Sequence, residues 1–481
     1  MSNELSALEQ QARLLDPDHA ARAQLLDRVI AYSQQYLDGI ADAPAYAPPP
    51  DPAEFGQEAT ITENGVSLDH VLSLLGEHVD SRSINTTSGR YLAYIPGGGI
   101  FHAALGDYLA AVANRYAGVY FASPGAVQIE NQLLRWMADE VGYPATASGN
   151  LTSGGSLANL TAIVTARDAH GLEGDLIPRS VVYLTEHAHH CIDKALRIAG
   201  LGKLIKRIVP VDAAYRMNAQ ALDAQIVADQ QAGLKPWAII ASAGTTNTGA
   251  VDPLTEIAQI AAARKLWFHV DGAYGGLFVL CPDGKTALKG IEQSDSVVVD
   301  PHKTLFLPYG TGTVLIRDRQ HQYAAFNAHA DYMQNILDED GELSPSDLSP
   351  ELTKHFRGLR LWLPLKVLGV TPFRAALAEK IHLARYFHEQ LQRIDGFEVG
   401  PSPDLSIVTY RYCPKRGDVD QFNQQLVKAL QQDGRIFISS TVVEHKVTLR
   451  AAILSFRTHS GEIEEALRLL KHHAHALEQQ A

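Results

Sequence analysis

The stretch WAIIASAGTTNTGAVDPLTEIAQIAAARKLWFHVDG, residues 237–272, decides the fold class because it reads as a strand, a helix and a second strand. The runs at both ends are rich in β-branched and aromatic residues, whereas the segment between them repeats apolar residues at helical spacing. Asp252 is a candidate N-cap for this helix, with Pro253 at its first position. A helix that joins two strands in this way is typical of a parallel sheet.

Further strand-like runs extend this pattern in both directions along the chain. They are VVYL at 181–184, LIKRIV at 204–209 and SVVVD at 296–300, with the helix-like AQALDAQIVADQQAG at 219–233. We therefore expect an α/β fold with a mostly parallel central sheet and helices on both faces. Ligands of such sheets bind beyond the carboxyl ends of the strands, so the residues that follow each run are the candidate site.

The chain divides into three expected parts. Residues 1–85 hold amphipathic helical stretches around the proline-rich ADAPAYAPPPDP, residues 86–370 hold the sheet, and residues 371–481 mix helix and strand signals as a small C-terminal α+β domain. A polar segment from about 327 to 352 predicts a long exposed loop, a feature that often forms a lid over a site.

Composition excludes several classes of protein and several kinds of partner. The 481 residues are 46% hydrophobic and 20% charged, which is typical of a globular protein with a large core. The formal net charge of -13 disfavours a nucleic-acid partner. The three scattered cysteines, the polar N-terminus and the lack of a long apolar run predict a cytoplasmic protein without membrane spans.

Two glycine- and threonine-rich turns are candidate ligand-binding segments. In TSGGSLANL, residues 152–160, Gly155 and Ser156 open a helix, so that free N–H groups and a hydroxyl form a phosphate cradle. A plain loop with a capped helix explains that segment equally well. In GTTNTGAVDP, residues 244–253, Thr246 follows a strand and either binds the polar edge of a ligand or caps the next helix.

The segment YLTEHAHHCIDKA, residues 183–195, places three histidines directly after a strand. They suggest a zinc site, but the HExxH spacing is missing and no third ligand type is obvious nearby, so zinc is a minor alternative and we expect no metal. His189 instead has a position from which an imidazole stacks on a planar ligand. A solvated polar turn is the alternative.

Two charged residues end strongly apolar strands. In HVDGAYGG, Asp271 needs a cationic partner because an unpaired buried carboxylate is costly, and either a ligand or a structural salt bridge provides one. The small Ala273 leaves room there for a flat ligand. In VVVDPHKTLFLPYGTG, desolvation is expected to lower the pKa of Lys303 and leave it nucleophilic, unless the amine snorkels to the surface.

Taken together, these features predict one ligand, a phosphorylated and cationic planar ring that carries an aldehyde. The glycine-serine turn takes the phosphate, Asp271 the ring nitrogen, His189 a ring face and Lys303 the aldehyde. Pyridoxal 5′-phosphate meets all four requirements.

The chain resembles the group II pyridoxal-phosphate decarboxylases, the family of aromatic-L-amino-acid and glutamate decarboxylases. The resemblance covers roughly residues 85–370 and is carried by TSGGSLANL, the AH of EHAHHC, HVDGAYGG, DPHK and HFRGLRLW. It implies a type I aminotransferase-like fold and an obligate homodimer in which the N-terminal helical segment, residues 1–85, grips the partner.

The resemblance also implies the role of each site residue. Lys303 forms the Schiff base, Asp271 keeps the pyridine nitrogen protonated, and His189 stacks on the ring. A loop tyrosine that protonates the intermediate corresponds to Tyr332. The other implied contacts are Gly155, Ser156 and His302 at the phosphate, Ala273 on the opposite ring face, and Thr246 at the ring hydroxyl or the substrate carboxylate.

The substrate is the least determined part of this prediction. Many aromatic-acid members carry tryptophan after the Schiff-base lysine, and here the residue is Thr304. In SGRYLAYIPGGG, residues 88–99, Arg90 and Tyr91 are candidate substrate-binding residues, and Arg90 either binds an acidic side chain or forms a surface ion pair.

We expect an L-amino-acid decarboxylase that releases an amine and carbon dioxide, with an aromatic substrate favoured over an acidic one. The alternatives are an aldehyde synthase or aminotransferase on the same fold, and a cofactor-binding scaffold without activity.

Overall fold

The computed structural model describes residues 3–49, 52–327 and 343–480. In chain order the strands are β1 (Tyr46–Ala47), β2 (Ser83–Ile84), β3 (Ser148–Thr152), β4 (Ser180–Leu184), β5 (Ile205–Ile208), β6 (Lys235–Ser242), β7 (Trp267–Asp271), β8 (Ser296–Val299), β9 (Gly312–Ile316), β10 (Phe397–Val399), β11 (Ile407–Tyr412), β12 (Ser439–Val443) and β13 (Lys446–Ala452). The helices are α1 (Asn3–Ala12), α2 (His19–Gly39), α3 (Pro52–Glu58), α4 (Leu68–Leu75), α5 (Phe101–Ala113), α6 (Pro124–Val141), α7 (Gly155–Ala169), α8 (Cys191–Ile198), α9 (Ala219–Gln231), α10 (Leu254–Arg264), α11 (Pro282–Ala287), α12 (Pro301–Thr304), α13 (Arg319–Phe326), α14 (Gly358–Leu368), α15 (Thr371–Leu391), α16 (Val419–Asp433) and α17 (Ser460–Gln480).

A seven-stranded sheet with the order β3-β9-β8-β7-β6-β4-β5 forms the centre of the molecule. Neighbouring strands are parallel except at β9, which is antiparallel to both β3 and β8. The segment between β8 and β9 contains the short helix α12. The predicted mostly parallel sheet is confirmed, and the predicted runs correspond to β4 to β8.

Both faces of this sheet are buried, as its near-continuous apolar strands require. In β6, Ile239 and Ala241 contribute to one core together with α6, α9 and α10. Ala238 and Ile240, which alternate with them, contribute to a second core with α7 and α8. Alternate side chains of β6 therefore pack into two different cores, one on each face of the sheet. The prediction of helices on both faces is confirmed.

The predicted start of α10 needs a correction. The helix begins at Leu254, its N-cap is Pro253, and no side chain caps it. Asp252 accepts the backbone N–H groups of Ser242 and Met217, each at 2.7 Å, so its carboxylate joins the end of β6 to the chain before α9. Burial raises the pKa of Asp252 to about 6, even though both hydrogen bonds act to lower it.

The C-terminal part forms a second, antiparallel sheet with the order β10-β11-β13-β12. Helices α15, α16 and α17 contribute buried side chains to its separate core, which includes Leu426, Leu449 and Leu470. This arrangement agrees with the expected small α+β domain, whereas the expected boundaries at residues 85 and 370 stay predictions.

The first helices bury none of their side chains within this chain. Neither α1 nor α2 has a buried residue, and Leu25, Val29 and Ile30 on α2 are exposed. No single helix among the described residues is long and apolar enough to cross a bilayer, although α14 and α15, bent by 96° at their junction, together meet such a length and composition test.

The predicted exposed loop is wrong for the part that the structure describes, residues 343–352. Here Ser344, Pro345 and Leu348 are buried. The carbonyl of Pro345 accepts a hydrogen bond from Asn150, and the carbonyl of Leu348 accepts one from Gln322. These side-chain donors compensate for the buried backbone, which composition alone does not reveal.

Candidate active site

A cavity of about 350 Å³ lies beyond the carboxyl ends of the parallel strands. Segments that follow β3, β4, β6, β7 and β8 line it, as expected for this topology. The structure brings together in its walls all eight residues that the sequence predicts at the cofactor, which are Gly155, Ser156, His189, Thr246, Asp271, Ala273, His302 and Lys303.

In the cavity wall, the glycine-serine turn leads into the N-terminus of α7, where no side chain among the described residues forms a capping hydrogen bond. A Cβ atom on Gly155 would lie 2.8 Å from Asp300 Oδ2 and 3.1 Å from the Ala273 methyl group, so only glycine fits. His302 Nδ1 donates a hydrogen bond to the carbonyl of Thr311 at 2.6 Å, and burial lowers the pKa of His302. Backbone N–H groups at a helix start, beside a hydroxyl and an imidazole, suit a phosphate group.

Asp271 ends β7 and lies against this cavity while 8% exposed. Its Oδ1 accepts the backbone N–H of Ala273 at 3.1 Å, and no described lysine, arginine or histidine forms a salt bridge with it. The structural salt bridge that the sequence left open is therefore absent from the described residues. A buried carboxylate that faces a cavity suits a cationic ligand.

His269 lies two residues before Asp271 and is fixed by a buried network. Its Nε2 donates to Asn159 Oδ1 at 2.7 Å, and its Nδ1 accepts from the hydroxyl of Ser296 at 2.8 Å. The Ser296 oxygen in turn accepts from the indole N–H of Trp267 at 2.9 Å. Burial lowers the pKa of His269 to about 4, so the imidazole is neutral and holds the strand end in one arrangement.

His189 lines the cavity from the segment between β4 and α8, and its Nδ1 accepts the backbone N–H of Cys191 at 3.3 Å. Burial lowers the pKa of His189, with a partly opposing effect from Asp271. A neutral imidazole with its Nδ1 occupied is suited to stacking on a flat ring. Of the other two histidines in this segment, His187 also lines the cavity, whereas His190 is exposed.

Lys303 lies in the same cavity, but its ionisation differs from the expectation. Burial acts to lower the pKa of Lys303. The charge and hydrogen bond of Asp300 act in the opposite direction, as do the charges of Asp271 and Cys191, and together they outweigh burial, so that the pKa of Lys303 is raised. The Lys303 Nζ lies 2.8 Å from Asp300 Oδ2. The expected lowered pKa is therefore wrong, because the carboxylate three residues earlier outweighs the desolvation from which the lowering was expected.

The loop that carries Thr246 is held by the small domain. Arg450 on β13 donates to the carbonyl oxygens of Thr246 at 2.7 Å and Asn247 at 3.3 Å, and to Ser439 Oγ at 3.1 Å. Burial lowers the pKa of Arg450 to about 10. This guanidinium fixes the backbone of the loop from a residue more than 200 positions away.

Several cavity-lining residues were missed by the sequence analysis. They are Asn159, Cys191, Tyr274, Asp300 and Tyr309. A signal existed for Asp300, since it ends the apolar run VVVD just as Asp271 ends WFHVD. The others follow turns or lie one helical turn into α7, where sequence alone gives no indication of the direction of a side chain.

The substrate-binding candidates lie elsewhere. The Arg90 Nη2 donates to the carbonyls of Ala41 and Ala43 at 2.8 and 2.7 Å, which is neither of the two contacts considered from the sequence. Tyr91 is buried against Phe437. Neither residue lines the cavity. Tyr332 lies outside the described residues.

This geometry defines a class of enzyme. An anion-binding helix start, a cavity-facing carboxylate and a lysine around one cavity fit pyridoxal phosphate, and the fold is the expected type I aminotransferase-like one. The solved structure of Oryza sativa TDC with PLP and tryptamine matches with a TM-score of 0.90 at 26% identity, covering 96% of this chain and 99% of that one.

The sequence comparisons identify the family. The model of the pyridoxal-dependent decarboxylase conserved domain matches residues 57–413. The aromatic-L-amino-acid decarboxylase of Bacillus atrophaeus is 35% identical over 417 residues, with 86% of each chain covered. A phenylacetaldehyde synthase of Arabidopsis thaliana is 26% identical over 422 residues, covering 85% of this chain and 86% of that one. The chain belongs to the pyridoxal-dependent decarboxylase family; it is a carboxy-lyase that uses pyridoxal 5′-phosphate, as the sequence predicts.

Proposed function

We propose that this enzyme decarboxylates an aromatic L-amino acid to the corresponding amine and carbon dioxide. The observation that carries the proposal is the convergence of Lys303, Asp271 and the start of α7 on one cavity. The similarity to an aromatic-L-amino-acid decarboxylase over 86% of both chains supports the substrate class. The exposed ring of Tyr309 at the cavity, 55% accessible, adds an aromatic surface for a substrate side chain.

Pyridoxal phosphate, when bound, supplies an aldehyde carbon for an amine and a ring that accepts the electron pair left by decarboxylation. The residues of this chain hold it and direct the reaction. The N–H groups at Gly155 and Ser156, together with His302, bind the phosphate. Asp271 keeps a proton on the ring nitrogen, because its buried carboxylate stabilises the positive charge in a site of low polarity.

The remaining residues orient and transfer protons. His189 would cover one face of the ring, and the small Ala273 would leave room for the ring on the other side. Lys303 supplies the amine that would hold the cofactor at its aldehyde carbon and would give way there to the substrate amine. Tyr332 supplies the proton that the α-carbon receives after carbon dioxide leaves, and Thr246 positions the substrate carboxylate or the ring hydroxyl.

Analysis of products tests this proposal directly. The enzyme is incubated with the twenty amino acids, dopa, cysteine sulfinate and diaminobutyrate, and trapped carbon dioxide is compared with amine. Equal amounts of both from an aromatic substrate are expected. Ammonia with hydrogen peroxide would indicate an aldehyde synthase, the class suggested by the Arabidopsis relative. A keto acid would indicate transamination, amine from an acidic substrate would overturn the aromatic assignment, and no product at all would indicate a scaffold.

The assembly proposed for the enzyme is a cytoplasmic homodimer. Support comes from the exposed apolar side chains on two separate helices, Leu25 and Ile30 on α2 and Tyr108 and Val112 on α5, which a partner subunit would cover. Light scattering after gel filtration should give twice the 52.4 kDa chain mass. A chain without residues 1–49 should give a smaller assembly if the N-terminal helices hold the partner.

A further inference from the structure

Asp300 is a buried carboxylate of the cavity for which the proposed mechanism has no role. It is 1% exposed and lies three residues before Lys303, whose Nζ contacts its Oδ2 at 2.8 Å. Its Oδ1 has no hydrogen-bond partner among the described residues. Cβ atoms on Gly155 and Gly312 would lie 2.8 Å from Oδ2 and 2.6 Å from Oδ1, so both glycines leave space for this carboxylate. An unpaired buried oxygen is costly and therefore requires an explanation.

The position of Asp300 creates a conflict once the cofactor is bound. The Asp300 carboxylate lies beside the start of α7, where the phosphate is proposed to bind. Its ion-pair partner is the Lys303 ammonium, the group that must form the covalent bond to the cofactor. A buried carboxylate and a phosphate that lie side by side repel each other, and this repulsion opposes binding of the cofactor unless one of them is neutralised. The Lys303 ammonium also has no lone pair with which to attack an aldehyde. Both difficulties disappear if one proton moves.

We propose that Asp300 accepts the proton of the Lys303 ammonium when the enzyme takes up its cofactor, and that the resulting neutral acid donates a hydrogen bond to the cofactor phosphate. The first transfer converts the ammonium and carboxylate into an amine and a carboxylic acid. The amine then condenses with the aldehyde: the C=N bond forms, the C=O bond breaks, and one water molecule leaves. Charge and atoms balance without an outside acid or base. The inference rests on the proposed function of this site.

Among the groups near the Lys303 ammonium, Asp300 is the best acceptor for its proton. On its own segment, His302 commits its Nδ1 hydrogen to the Thr311 carbonyl, and its Nε2 lies 3.8 Å from Asp300 Oδ2. From the neighbouring elements, Asp271 also lines the cavity and its charge also acts to raise the pKa of Lys303, but the proposed mechanism assigns this carboxylate to the ring nitrogen. Cys191 and His189 lie on the α8 side, and both are influenced by the Asp300 charge. Only Asp300 contacts the Lys303 Nζ at hydrogen-bond distance among the described residues.

The test uses Asp300→Asn, which keeps the shape but cannot take the proton, and three probes. Pyridoxal phosphate carries both groups, pyridoxal lacks the phosphate, and 4′-deoxypyridoxine 5′-phosphate lacks the aldehyde. Asp229→Asn is the matched control, because Asp229 is another buried aspartate, paired with Arg207 at 2.7 Å and absent from the cavity lining. Dissociation constants come from protein fluorescence, and the C=N bond is followed by its visible absorbance.

In the Asp300→Asn variant, the aldehyde-free phosphate should bind about tenfold more tightly than in the wild type, because the repelling charge is gone. The affinity of the Asp300→Asn variant for pyridoxal, which lacks the phosphate, should not increase relative to the wild type. Formation of the visible band with pyridoxal phosphate should become strongly pH-dependent in the variant and speed up as pH rises, because Lys303 must then release its proton to water. The empty variant should melt at a lower temperature than the wild type. Asp229→Asn should lower the melting temperature while binding and band formation stay at wild-type values.

Unchanged or weaker binding of the aldehyde-free phosphate in Asp300→Asn would overturn the inference, as would the same changes in Asp229→Asn. Infrared spectroscopy of the wild type tests the proton transfer independently, even if the variant does not fold. A carboxylic-acid carbonyl band should appear on loading with pyridoxal phosphate but not with the aldehyde-free analogue, and its absence contradicts the proton transfer. If the wild type binds none of the three probes, the proposed function fails rather than the role of Asp300.

Discussion

The two sides of the cavity are held in place by different parts of the molecule. On the sheet side, Ser242, Asp271 and Asp300 end or directly follow three adjacent parallel strands, β6, β7 and β8, whose ladders fix their backbones. On the other side, Thr246 is held by Arg450 of the small domain, and Tyr309 packs against Gly97, which lies far earlier in the chain. The first side depends on one continuous sheet, the second on contacts between distant parts of the chain.

This difference matches two roles, because one side of the cavity acts on the cofactor and the other contacts the substrate. Groups that must act on a fixed ring are best placed on strand ends, where the backbone moves least. Groups that meet variable substrates lie on loops, which accept substitution without disturbing the sheet. The comparison predicts large losses of activity from changes on the sheet side and smaller, substrate-dependent effects on the other side.

The largest effect is expected for Lys303→Ala. Without the amine, the cofactor has no covalent attachment, so decarboxylation should fall to the uncatalysed level and the visible band should be absent. Borohydride should link labelled cofactor to the wild type at Lys303 and leave this variant unlabelled. Measurable turnover near the wild-type rate would remove Lys303 from the reaction.

Asp271→Asn should rank next, with a loss of about 10²–10³-fold in kcat. The amide keeps the hydrogen bond from Ala273 N–H but cannot stabilise a positive ring nitrogen. The dissociation constant of pyridoxal phosphate should change far less than kcat, and measuring both separates electrostatic from structural loss. A KM effect with intact kcat would place Asp271 at the substrate instead.

The sheet side of the cavity could be predicted from the sequence in part, and the position of its residues at strand ends explains why. Apolar runs predict strands, and a polar residue at the end of a run points to the carboxyl edge, so Asp271 and Lys303 were found. The raised pKa of Lys303 was not, because it depends on the distance between two side chains in space. Asn159 and Arg450 were missed because helix phase and domain contacts bring them to the site. The burial of Pro345 and Leu348 was missed because the side-chain donors that compensate for it, Asn150 and Gln322, are distant in sequence.

His269 allows a test of the sheet side through stability. Burial lowers the pKa of His269 from 6.5 to about 4. Its stabilising contribution is therefore complete above pH 6.5 and is lost as pH falls towards 4, by about 3 kcal/mol in total. His269→Gln should remove up to one proton from the slope of unfolding free energy against pH in this window. Denaturant titrations of the wild type and the variant across the window measure that slope, and equal slopes would show that His269 is protonated in the folded state.

Arg450→Lys tests the side that is held by the small domain. Lysine cannot bridge the carbonyl oxygens of Thr246 and Asn247 together, so the loop should loosen and KM should rise about tenfold while kcat changes less. Arg411→Lys is the control, because Arg411 lies on β11 of the same domain and pairs with Asp420 at 2.8 Å, away from the cavity. A similar KM in both variants would show that only domain stability has changed.

The smallest effect is expected for Arg90→Ala, and it decides what the N-terminal part contributes. Because the guanidinium binds the carbonyls of Ala41 and Ala43, its loss should cost about 1 kcal/mol of stability. Values of kcat/KM for aromatic and acidic substrates should stay within about twofold of the wild type. A selective rise in KM for acidic substrates would instead mean that Arg90 leaves these carbonyls and contacts the substrate during turnover. The substrate side would then include Arg90, and this residue would help to determine which amino acid is accepted.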